Sequence, residues 1–249
     1  MDGLKLFWSF GKISVHEILD EKSVYLNAFF ALIFLDNMET IYSLLGVSEE
    51  SGTFIALSVT ATLFSFVVLS QVVLIQKRKK GGTGELKYFV PTFLLYNLYY
   101  SFLFLTSLLL LVFPGYYIIF SHFHAPAIAS ILLIPLFLPG LFFLFYFSMV
   151  PFIAVLDDEI SGKFFKKSIS LVKKKLPLVA CTSLAYLAVE LAAILITVIQ
   201  DPMAKIIFKL ILSIPDAFFT LVITVITVKV YYYLVNLPNS ATDNTQSAP

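Results

Sequence analysis

The chain has 249 residues, of which 59% are hydrophobic and 13% charged, and its mean hydropathy is +0.91. Soluble domains carry about 45–50% apolar and about 25% charged residues, so this composition excludes an ordinary soluble domain and indicates a protein embedded in lipid. The net charge of +1 gives no reason to expect a nucleic-acid partner. The single cysteine, Cys181, excludes an internal disulfide and a thiolate metal cluster.

Residues 1–22 are predicted to form an amphipathic helix at the membrane interface, and they are too polar to be the apolar part of a signal peptide. Polar residues at helical spacing make one stripe, which comprises Lys5, Ser9, Lys12 and His16. The apolar side comprises Leu4, Phe7, Trp8, Phe10, Val15, Ile18 and Leu19. Aromatic residues with interleaved lysines are typical of an interfacial helix. The alternative is a short cytoplasmic helix that packs on the other helices.

Residues 23–235 contain six apolar stretches, and about 20 residues suffice to cross a bilayer. The predicted spans are 23–46, 53–76, 88–113, 127–156, 176–199 and 206–235. The first is the weakest, because Asp36, Asn37 and Glu39 interrupt it. The fourth is long, and we expect its prolines, which include Pro139 and Pro151, to kink or split it. The polar tail, 236–249, is predicted to be disordered.

The basic residues favour one side of these spans. Three of the 17 Lys and Arg residues lie in 1–22, five in 77–87 and six in 163–175. Cytoplasmic loops carry an excess of Lys and Arg, so both termini are predicted to be cytoplasmic. The expected location is a bacterial inner membrane or plasma membrane.

The segment 138–175 joins a long apolar run to a lysine-rich helix through Asp157, Asp158 and Glu159. We predict an elbow helix over 160–175 that is pressed on the cytoplasmic leaflet. Its lysines would contact anionic headgroups at about 1 kcal/mol each, and the candidates are Lys163, Lys166, Lys167, Lys173 and Lys174. The alternative is that these lysines only set the topology, and both interpretations can hold together.

The same segment carries a family resemblance. Its elements are Pro139-Gly140, then Val150-Pro151-Phe152, then Leu156-Asp157-Asp158-Glu159, then Lys167-Ser168-Ile169-Ser170-Leu171-Val172-Lys173. It resembles the six-helix bacterial membrane proteins related to the membrane domain of glycerophosphodiester phosphodiesterases, including the YciC-like inner-membrane proteins. The end of the last span, which contains Tyr231-Tyr232-Tyr233, is similar to the closing segment of that family.

This resemblance is specific over about 45 residues, and the chain departs from it at two positions. Ile169 stands where the family often has Trp, and Lys174 stands where it often has Gly or Asn. The resemblance implies an all-α membrane fold and no established activity. It does not imply phosphodiesterase activity, because the tail after residue 235 leaves no room for a soluble catalytic domain.

Charged residues within the predicted spans suggest a second kind of site. Intramembrane charges are costly and tend to face a bundle interior, a cavity or a partner. We therefore consider a polar cavity that binds an ion, a proton or a lipid headgroup; its candidates are Asp36, Glu39, Glu190, Asp216 and Lys229. Glu190 is the deepest. In the alternative interpretation these residues are structural, with Lys229 reaching the cytoplasmic surface.

Catalytic and metal motifs are not found. His122 and His124 lie in one loop without the three or four ligands that a metal site needs. The chain has no nucleophile elbow, Walker loop or HExxH motif. We expect an all-α, six-span membrane protein without cofactor or enzymatic activity, which organises the membrane through lipids or a partner protein. The alternative is a small transporter or lipid-handling protein, and an intramembrane enzyme is the third choice.

Overall fold

A computed structural model describes residues 3–48, 51–81, 140, 142–157, 163–195 and 202–238. All regular secondary structure within these ranges is helical, which confirms the predicted all-α class for this part of the chain. The helices are α1 Gly3–Asp20, α2 Lys22–Asp36, α3 Met38–Leu44, α4 Gly52–Lys79, α5 Val150–Leu156, α6 Phe164–Lys174, α7 Leu176–Leu195 and α8 Pro202–Asn236. Residues 142–147 form a further helical segment. The predicted third span, most of the fourth and residues 239–249 of the polar tail lie outside the described residues.

Two helices in the described ranges are long and apolar enough to cross a membrane. They are α4 and residues Ile206–Asn236 of α8, each with a hydropathy of 2.1 in its most apolar window. The bent pair formed by α2 and α3 gives a third candidate. The apolar part of α7, Leu176–Val189, is shorter. These helices coincide with the first, second, fifth and sixth apolar stretches of the sequence.

The boundaries of α4 follow from local chemistry. Ser51 precedes the helix, and its hydroxyl accepts a hydrogen bond from the Phe54 amide at 3.1 Å. This contact satisfies one of the donors left free at a helix N-terminus. The last turn contains Lys77, Arg78 and Lys79, whose charges interact favourably with the negative end of the helix dipole. α4 therefore has a polar cap at one end and a basic cluster at the other.

The first apolar stretch is broken at Asn37. The Asn37 side-chain amide donates to the Ile33 carbonyl at 2.7 Å, and the axes of α2 and α3 differ by 44°. Asp36 ends α2 and Glu39 lies in the first turn of α3. These carboxylates therefore belong to two helices, whereas the sequence predicted a single span over 23–46.

The predicted split of the fourth stretch occurs at residues 148–149. Pro151 lies in the first turn of α5, where its missing amide hydrogen removes no helical bond. The Ser148 hydroxyl donates to the Phe145 carbonyl at 3.0 Å just before this break. The proline therefore starts a short helix that leads to Asp157.

The core is concentrated around the second half of α8. From Leu221 to Leu234 most residues of this helix are buried, whereas before Pro215 several large apolar side chains, such as Phe208 and Ile211, are exposed. Residues from six other helices complete the core; among them are Ile18, Tyr25, Val72, Val73, Phe152, Ile153, Phe164 and Leu178. The described helices thus pack most tightly at the end that carries the basic clusters.

α1 packs on α7 and α8. The approach is closest at Gly3, where an added Cβ would lie 2.7 Å from the Leu178 backbone nitrogen. The rings of Phe10 and Tyr233 meet edge to face with their centroids 5.8 Å apart. α1 is therefore attached to the bundle, as one sequence interpretation expected. Its placement at the membrane interface stays a prediction.

Candidate functional site at the basic end of the bundle

Glu17 joins four helices at the basic end. Its Oε1 atom accepts hydrogen bonds from the Tyr25 hydroxyl at 2.9 Å, from Gln76 Nε2 at 2.6 Å and from Lys79 Nζ at 2.6 Å. Its Oε2 atom accepts from Lys229 Nζ at 2.5 Å. The donors come from α2, α4 and α8, while Glu17 lies on α1. We call these five residues the Glu17 network.

The environment of Glu17 favours the ionised carboxylate. Burial by itself raises the pKa, but hydrogen bonds from Lys229 and Lys79, together with those from Gln76 and Tyr25, outweigh burial and lower it to about 2 from an ordinary value of 4.5. A hydrogen bond to the charged form of a carboxylate favours that form. Glu17 is therefore negatively charged at neutral pH and balances charge from two lysines.

Lys79 is held by more than one contact. Its ammonium group lies 2.5 Å from Glu21 Oε2 as well as 2.6 Å from Glu17 Oε1. It also lies 5.2 Å from the centre of the Tyr25 ring, within the range of a cation–π interaction. Lys79 therefore attaches the end of α4 to α1 and to the start of α2.

A second network surrounds Asp157, which follows α5. Lys167 of α6 contacts Asp157 Oδ2 at 2.5 Å, and the Tyr231 hydroxyl of α8 donates to Oδ1. The Ser168 hydroxyl of α6 also donates to the Tyr146 carbonyl at 2.6 Å. The sequence indicated that Asp157 ends an apolar run. In the structure this residue fixes α6 against α8.

Two further lysines bind backbone carbonyl groups. Lys77 Nζ donates to the Val155 carbonyl at 3.1 Å. Lys174 Nζ donates to the Leu234 carbonyl at 3.1 Å and to the Leu237 carbonyl at 2.8 Å, near the C-terminus of α8. The last carbonyl groups of a helix lack helical partners and are well matched by a cation.

The structure divides the five candidate headgroup lysines into two groups. Lys167 and Lys174 make the internal contacts described above. Lys163, Lys166 and Lys173 are exposed, and their spacing places them on one face of α6. The opposite face is buried and comprises Phe164, Ser168, Leu171 and Val172. We call the first three residues the exposed lysine row; their contact with lipid stays a prediction.

The candidate cavity residues lie at different levels of the bundle. Glu39 Oε2 is 3.2 Å from Lys209 Nζ, whereas Lys229 contacts Glu17. Lys209 and Lys229 are 20 residues apart on α8, which corresponds to about 30 Å along a helix. Asp216 lies between these two lysines and is partly buried. The structure therefore does not bring Glu39 and Lys229 together.

The two remaining cavity candidates, Asp36 and Glu190, lie on different helices. Asp36, at the end of α2, is partly buried. Glu190 lies in α7, but its side chain is outside what the structure describes. His122 and His124, at which no metal site was expected, lie outside the described residues. Among the described residues, no group of three or more His, Cys, Asp or Glu side chains is arranged to hold a metal ion.

Glu17 was not among the residues predicted from the sequence, although it contacts residues of three other helices. The sequence did contain one indication of its role: on the helical projection of α1, Glu17 lies between the polar stripe and the residues that face the core. Phe10, Ser14 and Ile18 of that core-facing side all contact or enter the bundle. A carboxylate at the edge of such a face is where a partner cation from another helix would be expected.

No family model, curated protein or solved structure matches the chain. The described contacts fix one set of lysines in ion pairs and helix caps, and they leave the exposed lysine row facing outward.

Proposed function

We propose that the protein is an integral membrane protein with six spans and cytoplasmic termini, which organises the membrane by holding anionic lipids at its basic end and catalyses no reaction. The observation that carries this proposal is the exposed lysine row on α6. Lys163, Lys166 and Lys173 point outward from a helix whose other face is buried. The resemblance of residues 138–175 to the YciC-like membrane proteins agrees with the proposal.

Contacts between the ends of different helices support the proposal that the basic clusters lie on the same side of the membrane. Glu17 and Tyr25, which lie on either side of the start of α2, both contact Lys79 at the end of α4. Glu17 also contacts Lys229 in the last third of α8. Glu39, beyond the bend, contacts Lys209 near the start of α8. The α2–α3 pair therefore runs antiparallel to α8. Under the positive-inside rule, the end that holds Lys79 and α6 is cytoplasmic.

The internal contacts of α6 favour binding by the exposed row. Lys167 is paired with Asp157, and Lys174 caps α8, so the helix is already ordered before a lipid arrives. A preordered site avoids part of the entropic cost of binding. Three lysines at about 1 kcal/mol each would give an anionic lipid a preference of roughly 100-fold over a zwitterionic one at low salt.

The lipid preference is testable with the triple variant K163Q/K166Q/K173Q. Native mass spectrometry of the purified protein would count bound phosphatidylglycerol and phosphatidylcholine from an equimolar mixture. We expect the wild type to retain phosphatidylglycerol selectively and the triple Gln variant to lose this selectivity. The charge-preserving K163R/K166R/K173R variant is the matched control and should retain it. Selectivity that survives in the Gln variant would overturn the proposed role.

The topology is testable by cysteine labelling in a Cys181→Ser background. Single cysteines at the exposed positions Ser48 and Met203 are expected to react with an impermeant maleimide added outside cells. Cysteines at the exposed positions Lys80 and Asn236 are expected to react only after permeabilisation. The four positions alternate in sequence between the two predicted sides, so a different pattern would contradict the proposed orientation.

The transporter or lipid-handling alternative has less support. It needs the candidate charges to line one path, yet Glu39, whose side chain is 51% exposed, is paired with Lys209, and Lys229 is paired with Glu17. These pairs lie at opposite ends of α8. The described contacts are those expected of ion pairs that stabilise the packing of one helix on another.

A further inference from the structure

α1 carries an apolar stripe that the described helices leave exposed. Leu4 and Trp8 are each 66% exposed, and Leu19 is 57% exposed. With about 3.6 residues per turn, these three side chains lie within one 60° sector of the helix. The core-facing side, which includes Gly3, Phe10 and Ile18, occupies a different sector. The exposed stripe is therefore separate from the surface that attaches α1 to α7 and α8.

Basic residues border this stripe. Lys5 and Lys12 are exposed and lie within 40° of Leu19 on the helical projection. Beyond them come Ser9 and His16, which are also exposed. An apolar stripe flanked by lysines is the pattern of a helix that lies at the boundary between acyl chains and headgroups.

The contacts of α1 define its direction relative to the spanning helices. Gly3 approaches Leu178 in the first turn of α7. Phe10 contacts Tyr233 in the last turn of α8, and Glu17 contacts Lys79, the last residue of α4. All three points lie at the basic end of the bundle, and α1 is about 27 Å long at 1.5 Å per residue. α1 therefore runs across the helix ends instead of along a spanning helix.

We infer that α1 is an in-plane membrane contact whose Leu4, Trp8 and Leu19 side chains enter the acyl–headgroup boundary of the cytoplasmic leaflet. Lys5 and Lys12 lie beside the phosphates of the same leaflet. Lipid is the occupant that fits both the flanking charge and the position at the ends of membrane-spanning helices, where Trp side chains are enriched. The inference rests on the proposed topology and is independent of the exposed lysine row on α6.

The chain offers a direct probe of this contact, because Trp8 is its only tryptophan. The full-length protein would be reconstituted into vesicles of phosphatidylcholine and phosphatidylglycerol that contain lipids brominated at different acyl positions. We expect bromines near the headgroup to quench Trp8 emission at least twofold more than bromines near the chain end. We also expect acrylamide in the aqueous phase to quench it weakly.

The matched control moves the tryptophan to the opposite flank of α1. Ile13 is 50% exposed and lies about 140° from Trp8 around the helix. In the variant W8F/I13W, quenching by brominated lipid should fall and quenching by acrylamide should rise. Equal lipid quenching at both positions would overturn the assigned orientation of α1.

Two further outcomes separate this inference from the proposed function. Trp8 that is quenched by acrylamide and not by brominated lipid places the stripe in water and overturns the inference, whatever lipid selectivity the α6 variants show. Lipid quenching that is weak at high protein-to-lipid ratio and rises on dilution into more lipid, with a loss of dimer, assigns the stripe to a second copy and also overturns the inference. Shallow quenching of Trp8 in the K163Q/K166Q/K173Q variant supports the inference even if the exposed lysine row proves unselective.

Discussion

Glu17 and Lys229 form an ion pair with an Oε2–Nζ distance of 2.5 Å, although 212 positions separate them in the chain. Their side chains are 15% and 20% exposed, respectively. The pair links α1, which precedes the first candidate span, to α8, the last helix in the described residues. Its removal should therefore affect the attachment of α1 more than the integrity of any single helix.

The first prediction concerns Glu17→Gln. This change keeps the size of the side chain but leaves Lys79 and Lys229 without their shared carboxylate. Breaking a fully buried ion pair costs about 3–5 kcal/mol and breaking an exposed one about 0–1. For this partly buried network we expect a loss of about 2 kcal/mol in the free energy of unfolding, measured by denaturation in detergent micelles. Asp20→Asn is the control, because the His16–Asp20 pair is 80% and 61% exposed and should contribute nothing measurable.

The second prediction concerns pH. The pKa of Glu17 is lowered in the folded protein to about 2 from an ordinary value of 4.5. The carboxylate therefore contributes stability that is fully present above pH 4.5 and is lost as the pH falls towards about 2. Because solvent screens this partly exposed carboxylate, we expect the loss to match the value of about 2 kcal/mol given for Glu17→Gln.

Unfolding measured from pH 6 to pH 2 would test this dependence. The wild type should lose more stability than Glu17→Gln over the same interval, because the variant has no carboxylate to protonate at this position. Parallel curves for the two proteins would show that other groups dominate acid unfolding.

The third prediction concerns the close approach of α1 to α7. In Gly3→Ala the new Cβ would lie 2.7 Å from a backbone nitrogen and 2.9 Å from Pro177, so one of the helices must shift. Overpacking of this kind costs about 1–3 kcal/mol. We expect faster hydrogen exchange across α1. Gly11→Ala is the matched control, because its Cβ would lie 3.8 Å from the Ile226 side chain, an ordinary contact distance. Equal exchange in the two variants would argue against close packing at Gly3.

The fourth prediction separates two adjacent lysines on α6. Lys167→Met removes the cation that contacts Asp157, and we expect it to lower stability by about 1 kcal/mol. Lys166→Met changes an exposed residue and should leave stability unchanged while it weakens the retention of anionic lipid. Thermal unfolding and native mass spectrometry of both variants measure the two properties. A loss of stability in Lys166→Met would show that this residue has a structural role.

The sequence predicted those features that depend on neighbouring residues. The apolar run of α4 and the basic cluster after it placed the helix at 53–76, close to the observed Gly52–Lys79. The elbow helix was expected over 160–175 and occurs as Phe164–Lys174. In both cases, hydrophobic run length and local charge are sufficient to define the element.

Features that depend on distant residues were not predictable in this way. The six lysines of 163–175 look alike in the sequence, and their division follows from Asp157 and from the C-terminus of α8. The partners of Glu17 are up to 212 positions away, and one sequence contains no signal for such a pairing. The break at Asn37 was also missed, because the polar residues around it suggested a weak span and not a bend.

The sequence separation within the Glu17 network has a consequence for biogenesis. α1 is synthesised first, whereas Lys229 leaves the ribosome more than 200 residues later. At about 5–20 residues per second, this delay lasts roughly 10–40 seconds. During that time α1 has no access to α8, and its apolar sectors need another environment. An amphipathic helix can bind to the membrane surface during this time. The insertion of α8 is then the step at which α1 becomes fixed in the folded protein.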